Sequence, residues 1–317
     1  MHTTTTLGLR HLSEAEVRDR LDVSRLIAAL EEAFRSRYPH VALPPRGHVE
    51  LGGHGVVLLM PCYDPSCDSA GVKVATVAAE SSEHGRVHAY YLLLDGRTGV
   101  ARAHLEANYL TDVRTASVSA IATRHLARSD ATVLAVFGTG RLARAHVQVF
   151  ARVFELERIL VCGSDSGKAE AFSEQMSAQI GRTIRVASPD SCAREADILC
   201  TCTTSRSPLF DPRAVRPGTH LNLVGAFQPA SQEAHEDVIQ RARVFVDTYA
   251  GAMSEAGDLL VPMARGLIGR EHVVGDLHEL VSGKKAGRSS MQEVTVFKSV
   301  GCALEDLVAA ELLCNQS

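Results

Sequence analysis

The sequence lacks most of the features that would announce a nucleic-acid, membrane or metal-binding protein. No basic run is long enough to track a phosphate backbone, and a net charge of −4 with a pI near 6.4 sets up no strong field. No apolar stretch approaches the roughly 20 residues that a membrane-spanning helix needs. The opening Met1-His2-Thr3-Thr4-Thr5-Thr6 shows no charged-then-apolar secretion pattern. Eight cysteines are present, yet none forms a CxxC pair and no two pairs have zinc-finger spacing. Several stand inside apolar runs, as in Ile159-Leu160-Val161-Cys162, so all eight are expected to be small buried hydrophobes in a reducing compartment. These absences point to a cytoplasmic chain with no nucleic-acid, membrane or metal partner. His84 and His88 are four apart, but Gly85 and strand patterning argue against a ligand pair, which at that spacing needs a helix. No G-x-S-x-G nucleophile elbow occurs.

What is present is length and alternation. A chain of 317 residues, 45% hydrophobic and 22% charged, fits two domains and buries a large core without disulfide support. Residues 12–37 carry helical periodicity, with Ser13 and Glu16 in capping-box spacing and a second start at Asp22. Pro44-Pro45 ends that region, and 56–60, 72–77 and 88–94 read as strands, with a turn at Asp95-Gly96-Arg97-Thr98-Gly99. A helix is predicted over 111–126. From 131–137, a continuous apolar strand, the pattern changes to strand–helix alternation: helices at 142–154 and 168–180, strands at 158–162, 183–186, 198–201, 220–224 and 244–246. This is the pattern of a doubly wound parallel sheet, an α/β domain of Rossmann type. Residues 292–313 begin extended at Val294-Thr295-Val296 and continue as an amphipathic helix.

The run Gly138-Thr139-Gly140-Arg141-Leu142-Ala143 is weak as a bare G-x-G-x-x-A pattern. Its context gives it weight, because it follows a buried strand directly and opens a helix. There Gly138 permits the tight turn and Gly140 admits a pyrophosphate to the backbone. Ala143 lets helix and strand pack closely, and the helix N-terminus presents free N–H groups to the anion. A dinucleotide is therefore expected on Gly138, Thr139, Gly140, Arg141 and Leu142. The next strand ends in Val161-Cys162-Gly163-Ser164-Asp165-Ser166-Gly167-Lys168, with glycine where a ribose-binding acid is usual. Asp165 two places on suits NADH, whereas Ser164, Ser166 and Lys168 suit a 2′-phosphate; the balance favours NADPH over NADH. Thr201, Thr203, Thr204 and Ser205 follow another buried strand, at a sheet end where ligands bind. Of these Thr203, with Val224 and Gly225 beyond the next strand, completes the expected cofactor set.

Three cations in the first part of the chain stand out. Lys73 lies inside the apolar strand Gly71-Val72-Lys73-Val74-Ala75, where a lysine seldom sits unpartnered. Arg46 and Arg114 complete a set able to bind a carboxylate, with arginine supplying bidentate geometry.

The runs Leu59-Met60-Pro61, Lys73, Leu110-Thr111-Asp112-Val113-Arg114-Thr115-Ala116, the glycine turn and Glu293-Val294-Thr295-Val296-Phe297-Lys298-Ser299-Val300-Gly301 together resemble the ornithine cyclodeaminase/μ-crystallin family. The resemblance implies a Rossmann domain, 121–294, and an α+β substrate and dimerisation domain, 1–120, completed by 295–317. It also implies a homodimer in which Arg46, Lys73 and Arg114 hold the substrate α-carboxylate. The chain departs from the family's cyclodeaminases twice. Leu58 stands where they carry a glutamate before Leu-Met-Pro, and Phe227 stands where they carry an aspartate, in Val224-Gly225-Ala226-Phe227-Gln228-Pro229-Ala230-Ser231. A phenyl ring is no general base. The Phe-x-Pro form resembles the branch that reduces small cyclic ketimines such as Δ1-pyrroline-2-carboxylate and Δ1-piperideine-2-carboxylate. The expected product is L-proline or L-pipecolate. An amino-acid dehydrogenase or opine-type reductive amination, cyclodeamination, and non-catalytic NADPH binding stand as alternatives.

Overall fold

The protein is described by a computed structural model covering residues 9–82 and 85–315, without the side chains of 80–82 and 85. Met1 to Thr6 and His84 lie outside the described residues; His88 lies in a strand. The chain divides into two compact units, Met1–Arg114 with Ala303–Ser317, and Thr115–Cys302.

The first unit opens with β1 (Arg10–Leu12), α1 (Glu14–Arg20) and α2 (Val23–Glu32). Ser13 and Glu16 close the expected capping box, and Asp22 caps α2 by accepting from the Arg25 amide. Five strands follow: β2 (Gly47–Glu50), β3 (Gly55–Asp64), β4 (Ser69–Ser82), β5 (Gly85–Asp95) and β6 (Ala101–Glu106). They form a six-stranded sheet in the order β1-β6-β5-β4-β3-β2, antiparallel except for the β1–β6 pair. Because strand side chains alternate, Leu58, Met60 and Cys62 of β3 face the core with Lys73 and Ala75 of β4 and Tyr91 and Leu93 of β5.

The unit boundary falls inside α3 (Asn108–Leu126). The second unit holds eight strands: β7 (Val133–Phe137), β8 (Arg158–Cys162), β9 (Ile184–Val186), β10 (Ile198–Thr201), β11 (His220–Leu223), β12 (Arg243–Val246), β13 (Val273–Asp276) and β14 (Thr295–Lys298). Between them run α4 (Arg141–Val153), α5 (Ser166–Ile180), α6 (Pro189–Glu195), α7 (Glu236–Arg241), α8 (Tyr249–Glu255), α9 (Gly257–Ala264) and α10 (Leu277–Val281). Every strand pair is parallel, in the order β13-β12-β14-β11-β10-β7-β8-β9, which contains the Rossmann arrangement with its reversal between β7 and β10. The sequence places 295–298 with the first domain. The structure places them in the middle of this sheet, because Thr295, Val296, Phe297 and Lys298 are buried on both faces between β11 and β12.

The last helix, α11 (Ala303–Cys314), returns to the first unit and packs on α2, β3, β4 and β5. Among the described residues, no helix is long and apolar enough to cross a membrane. Six cysteines are buried as expected. Cys314 is only partly buried, and Cys67 is exposed, its sulphur receiving a hydrogen bond from Arg37 Nη2 at 3.3 Å.

Candidate functional site

In the second unit, a cleft of about 600 Å³ opens at the carboxyl ends of β7, β8 and β10, lined by Gly138, Thr139, Gly140, Cys162, Ser164 and Thr203 among others. Its position is the strand-order reversal, where doubly wound sheets bind ligands. Gly138 has φ +113°, and a β-carbon there would stand 2.5 Å from the Cys202 carbonyl oxygen, so only glycine makes this turn. At Gly140 an added β-carbon would meet nothing within 4 Å. That glycine leaves open space rather than avoiding a clash within the protein. Gly140 is also the N-cap of α4 and provides no side-chain hydrogen bond, so no cap side chain satisfies the first-turn N–H groups. Open space beside uncapped amides fits the diphosphate of a dinucleotide.

Arg141 and Leu142 begin α4 beside this turn. Ser164, Asp165 and Lys168 are all exposed, and Asp165 Oδ1 caps α5 by accepting from the Lys168 amide at 2.9 Å. Val224 and Gly225 follow β11 outside the cleft lining. Gly225 nevertheless touches the site, since a β-carbon on it would overlap the backbone of Thr203. Thr204 and Ser205 join Thr203 in the lining, while Thr201 is buried. Cys162, Cys202, Pro189 and Leu209 also line the cleft and carry no motif that sequence reasoning could have used.

The first unit gathers the cations. Lys73 is 2% exposed, and its Nζ lies 2.9 Å from Asp306 Oδ1 and 2.8 Å from Oδ2. Arg114, also buried, donates from Nε to Asp306 Oδ1 at 3.0 Å and from Nη1 to Glu305. Arg46 immediately precedes β2, whose Gly47 stands opposite Leu59; the next residue of β3, Met60, stands opposite Lys73. Burial, joined by Arg114 and Arg46 and opposed by Asp306, lowers the Lys73 pKa to about 8. Burial also acts against the Arg114 charge, but Asp306 and Glu305 outweigh it and raise its pKa. Glu305 and Asp306 are missing from the sequence reading. Their signal was two adjacent acids near the start of a largely apolar helix, since buried charges need partners. Phe227 is partly buried and packs on the second unit's apolar core, with no acid in its place.

Fold and cleft define a Rossmann-type α/β protein with a second, sheet-based unit built around buried charge. The chain belongs to the ornithine cyclodeaminase/mu-crystallin family, whose model matches residues 10–316. It is 34% identical over 311 residues to the Delta(1)-pyrroline-2-carboxylate reductase of Bacillus thuringiensis subsp. konkukian (strain 97-27), covering 95% of this chain and 94% of the relative. Among solved structures it is similar to Thermococcus litoralis Delta(1)-pyrroline-2-carboxylate reductase in complex with NADH and L-proline. That likeness has a TM-score of 0.93 and 32% identity, and covers 96% of each chain. An archaeal alanine dehydrogenase dimer with bound NAD is also similar, with TM-score 0.89 and 28% identity, covering 96% of this chain and 95% of that one.

Proposed function

We propose that this chain is an NAD(P)H-dependent reductase of small cyclic ketimines, forming L-proline from Δ1-pyrroline-2-carboxylate or L-pipecolate from Δ1-piperideine-2-carboxylate. The observation that carries this reading is the whole-chain likeness to a reductase solved with NADH and L-proline. The buried charges support it. Lys73 and Arg114 are buried together against Asp306 and Glu305, and Arg46 acts on Lys73, a gathering of cations that suits a substrate carboxylate. A guanidinium has five N–H donors, so Arg114 retains donors for that carboxylate beyond those committed to Glu305 and Asp306.

Gly138, Thr139 and Gly140, with Arg141 and Leu142 at the start of α4, would hold the diphosphate. Ser164, Asp165 and Lys168 would meet the adenosine ribose, and Thr203, Val224 and Gly225 would flank the cofactor. When bound, the reduced nicotinamide supplies the hydride. The protein's part is to hold the carboxylate, orient the imine carbon and keep water away. Lys73, its pKa lowered to about 8, can also give its proton to the imine nitrogen. A homodimer is part of the proposal. The outer face of the first unit's sheet keeps Val49 and Tyr90 51% and 46% exposed beside partly exposed Leu59, Val72, Val74 and Leu92.

The test follows NADPH and NADH absorbance with each imine. Saturable oxidation of either cofactor with formation of the cyclic amino acid is expected. No turnover with either imine removes this reading, and ammonia-dependent reduction of pyruvate in their place replaces it with that of an amino-acid dehydrogenase.

A further inference from the structure

Glu233, fully buried between β11 and α7, accepts five hydrogen bonds. Three come from the chain at the end of β10: Thr201 Oγ1 at 2.8 Å, the Thr203 amide at 2.9 Å and Thr203 Oγ1 at 2.7 Å. Two come from the chain leaving β11: the amides of Gly225 at 2.7 Å and Ala226 at 3.0 Å. A carboxylate is the one common side chain that accepts this many donors while donating nothing. Its backbone is fixed in turn. The amides of Glu233 and Ala234 donate to Asp258 Oδ1 at 2.7 and 3.1 Å. Lys298 Nζ, at the end of β14, lies 3.0 Å from Asp258 Oδ2 and donates to the Ala226 carbonyl at 2.5 Å. Glu233, Asp258 and Lys298 have no solvent exposure at all.

Two glycines show what this knot holds. The turn at Gly138 rests on the Cys202 carbonyl, and Gly225 rests on the Thr203 backbone, with no room for a side chain at either contact. Three strand ends are thus stacked backbone on backbone along the cleft, and Glu233 ties the second of them to the third.

We infer that Glu233, held by Asp258 and Lys298, is a positioning residue for the dinucleotide cleft, fixing Thr203 and the turn after β11 in the geometry that receives the cofactor. The inference rests on the reading of that cleft as a dinucleotide site. The burial that makes the knot rigid also raises the Glu233 pKa, with Lys298 opposing and Asp258 adding to the rise; the five donors keep the carboxylate in its accepting role.

The test measures NADH and NADPH affinity by titration calorimetry on the full chain, for the wild type, Glu233→Gln and Thr201→Val, well below each melting temperature. Glu233→Gln presents an NH2 to backbone N–H donors, so affinity should fall roughly tenfold or more. The amides of Thr203 and Gly225 should then exchange faster with deuterium. Thr201→Val removes one donor outside the cleft lining at nearly constant shape and should weaken binding about two- to fivefold. It carries the test alone if Glu233→Gln fails to fold. In turnover, the dinucleotide KM should rise while kcat stays within about twofold. Folded variants that melt earlier yet bind both dinucleotides like the wild type would reduce Glu233 to a structural residue. A wild-type chain that binds neither dinucleotide would remove the cleft reading, and this inference with it.

Discussion

At the scale of the residue, Lys73 is where environment decides chemistry. A lysine on the surface stays charged to about pH 10. Burial beside Arg114 and Arg46 brings Lys73 down to about 8. Its positive charge, needed for the proposed carboxylate clamp, is therefore present below pH 8 and lost as pH rises through that value. Pyrrole-2-carboxylate, whose carboxylate does not titrate in this range, reads the enzyme's own charge. Its inhibition constant should climb about tenfold per pH unit above 8. Lys73→Ala should weaken it about 10- to 100-fold, flatten that climb and leave dinucleotide affinity unchanged. A climb that persists in the variant would assign the titration to another group. Lys73 was legible in the sequence because a strand interior is a poor place for a lone cation. Its partner was not, since Asp306 lies 233 positions away and only the folded chain brings the two together.

At the scale of the element, α11 brings acids to the first unit. Glu305 and Asp306 reach Lys73 and Arg114, and Glu311 reaches Arg37 Nη1 at 2.9 Å, whose Nε meets Asp64 at 2.5 Å. Breaking one partner of such a buried set costs more than the pair contributes, because the remaining charge stays buried. Asp306→Asn should lower unfolding stability in urea by about 3–5 kcal/mol. It should also move the pyrrole-2-carboxylate pH limb below 8, since Asp306 opposes the depression of Lys73. A limb that stays at 8 would contradict that coupling. Long or fully buried elements were readable as patterns: β8 and β10 fall on the residues their apolar runs indicated. Short ones were not. Helices α6 to α10 have five to eight residues, too few for periodicity to show, and α9 even holds Pro262. The glycine turn was legible because glycine is chosen by backbone geometry, whereas the Glu233 knot joins loops that have no pattern.

At the scale of the molecule, buried imidazoles tie stability to pH. His146 meets the Leu142 carbonyl at 2.8 Å and Ser119 Oγ at 3.1 Å, and burial lowers its pKa from 6.5 to about 4. Burial, with Arg288 beside it, lowers His220 to about 3. The unfolded chain takes up these protons near pH 6.5 while the folded chain refuses them. The stability each contributes is thus complete above 6.5 and drains away as pH falls toward the folded value. For His146 the loss between pH 7 and 5 is about 2 kcal/mol. His146→Gln should flatten the pH dependence of unfolding free energy in urea over that interval by this amount; parallel pH profiles for variant and wild type would count against it.

The place of β14 has a consequence for how the chain acquires its structure. Of the described strands it is the last to be made, yet it lies between β11 and β12 in the interior of the sheet. Until residue 298 has left the ribosome, both neighbours present open edges of unpaired amides and carbonyls, the groups that recruit other chains. The second unit therefore cannot finish folding piece by piece from its N-terminal end. It closes late and from the middle, and newly made chains are most exposed to aggregation before β14 has docked.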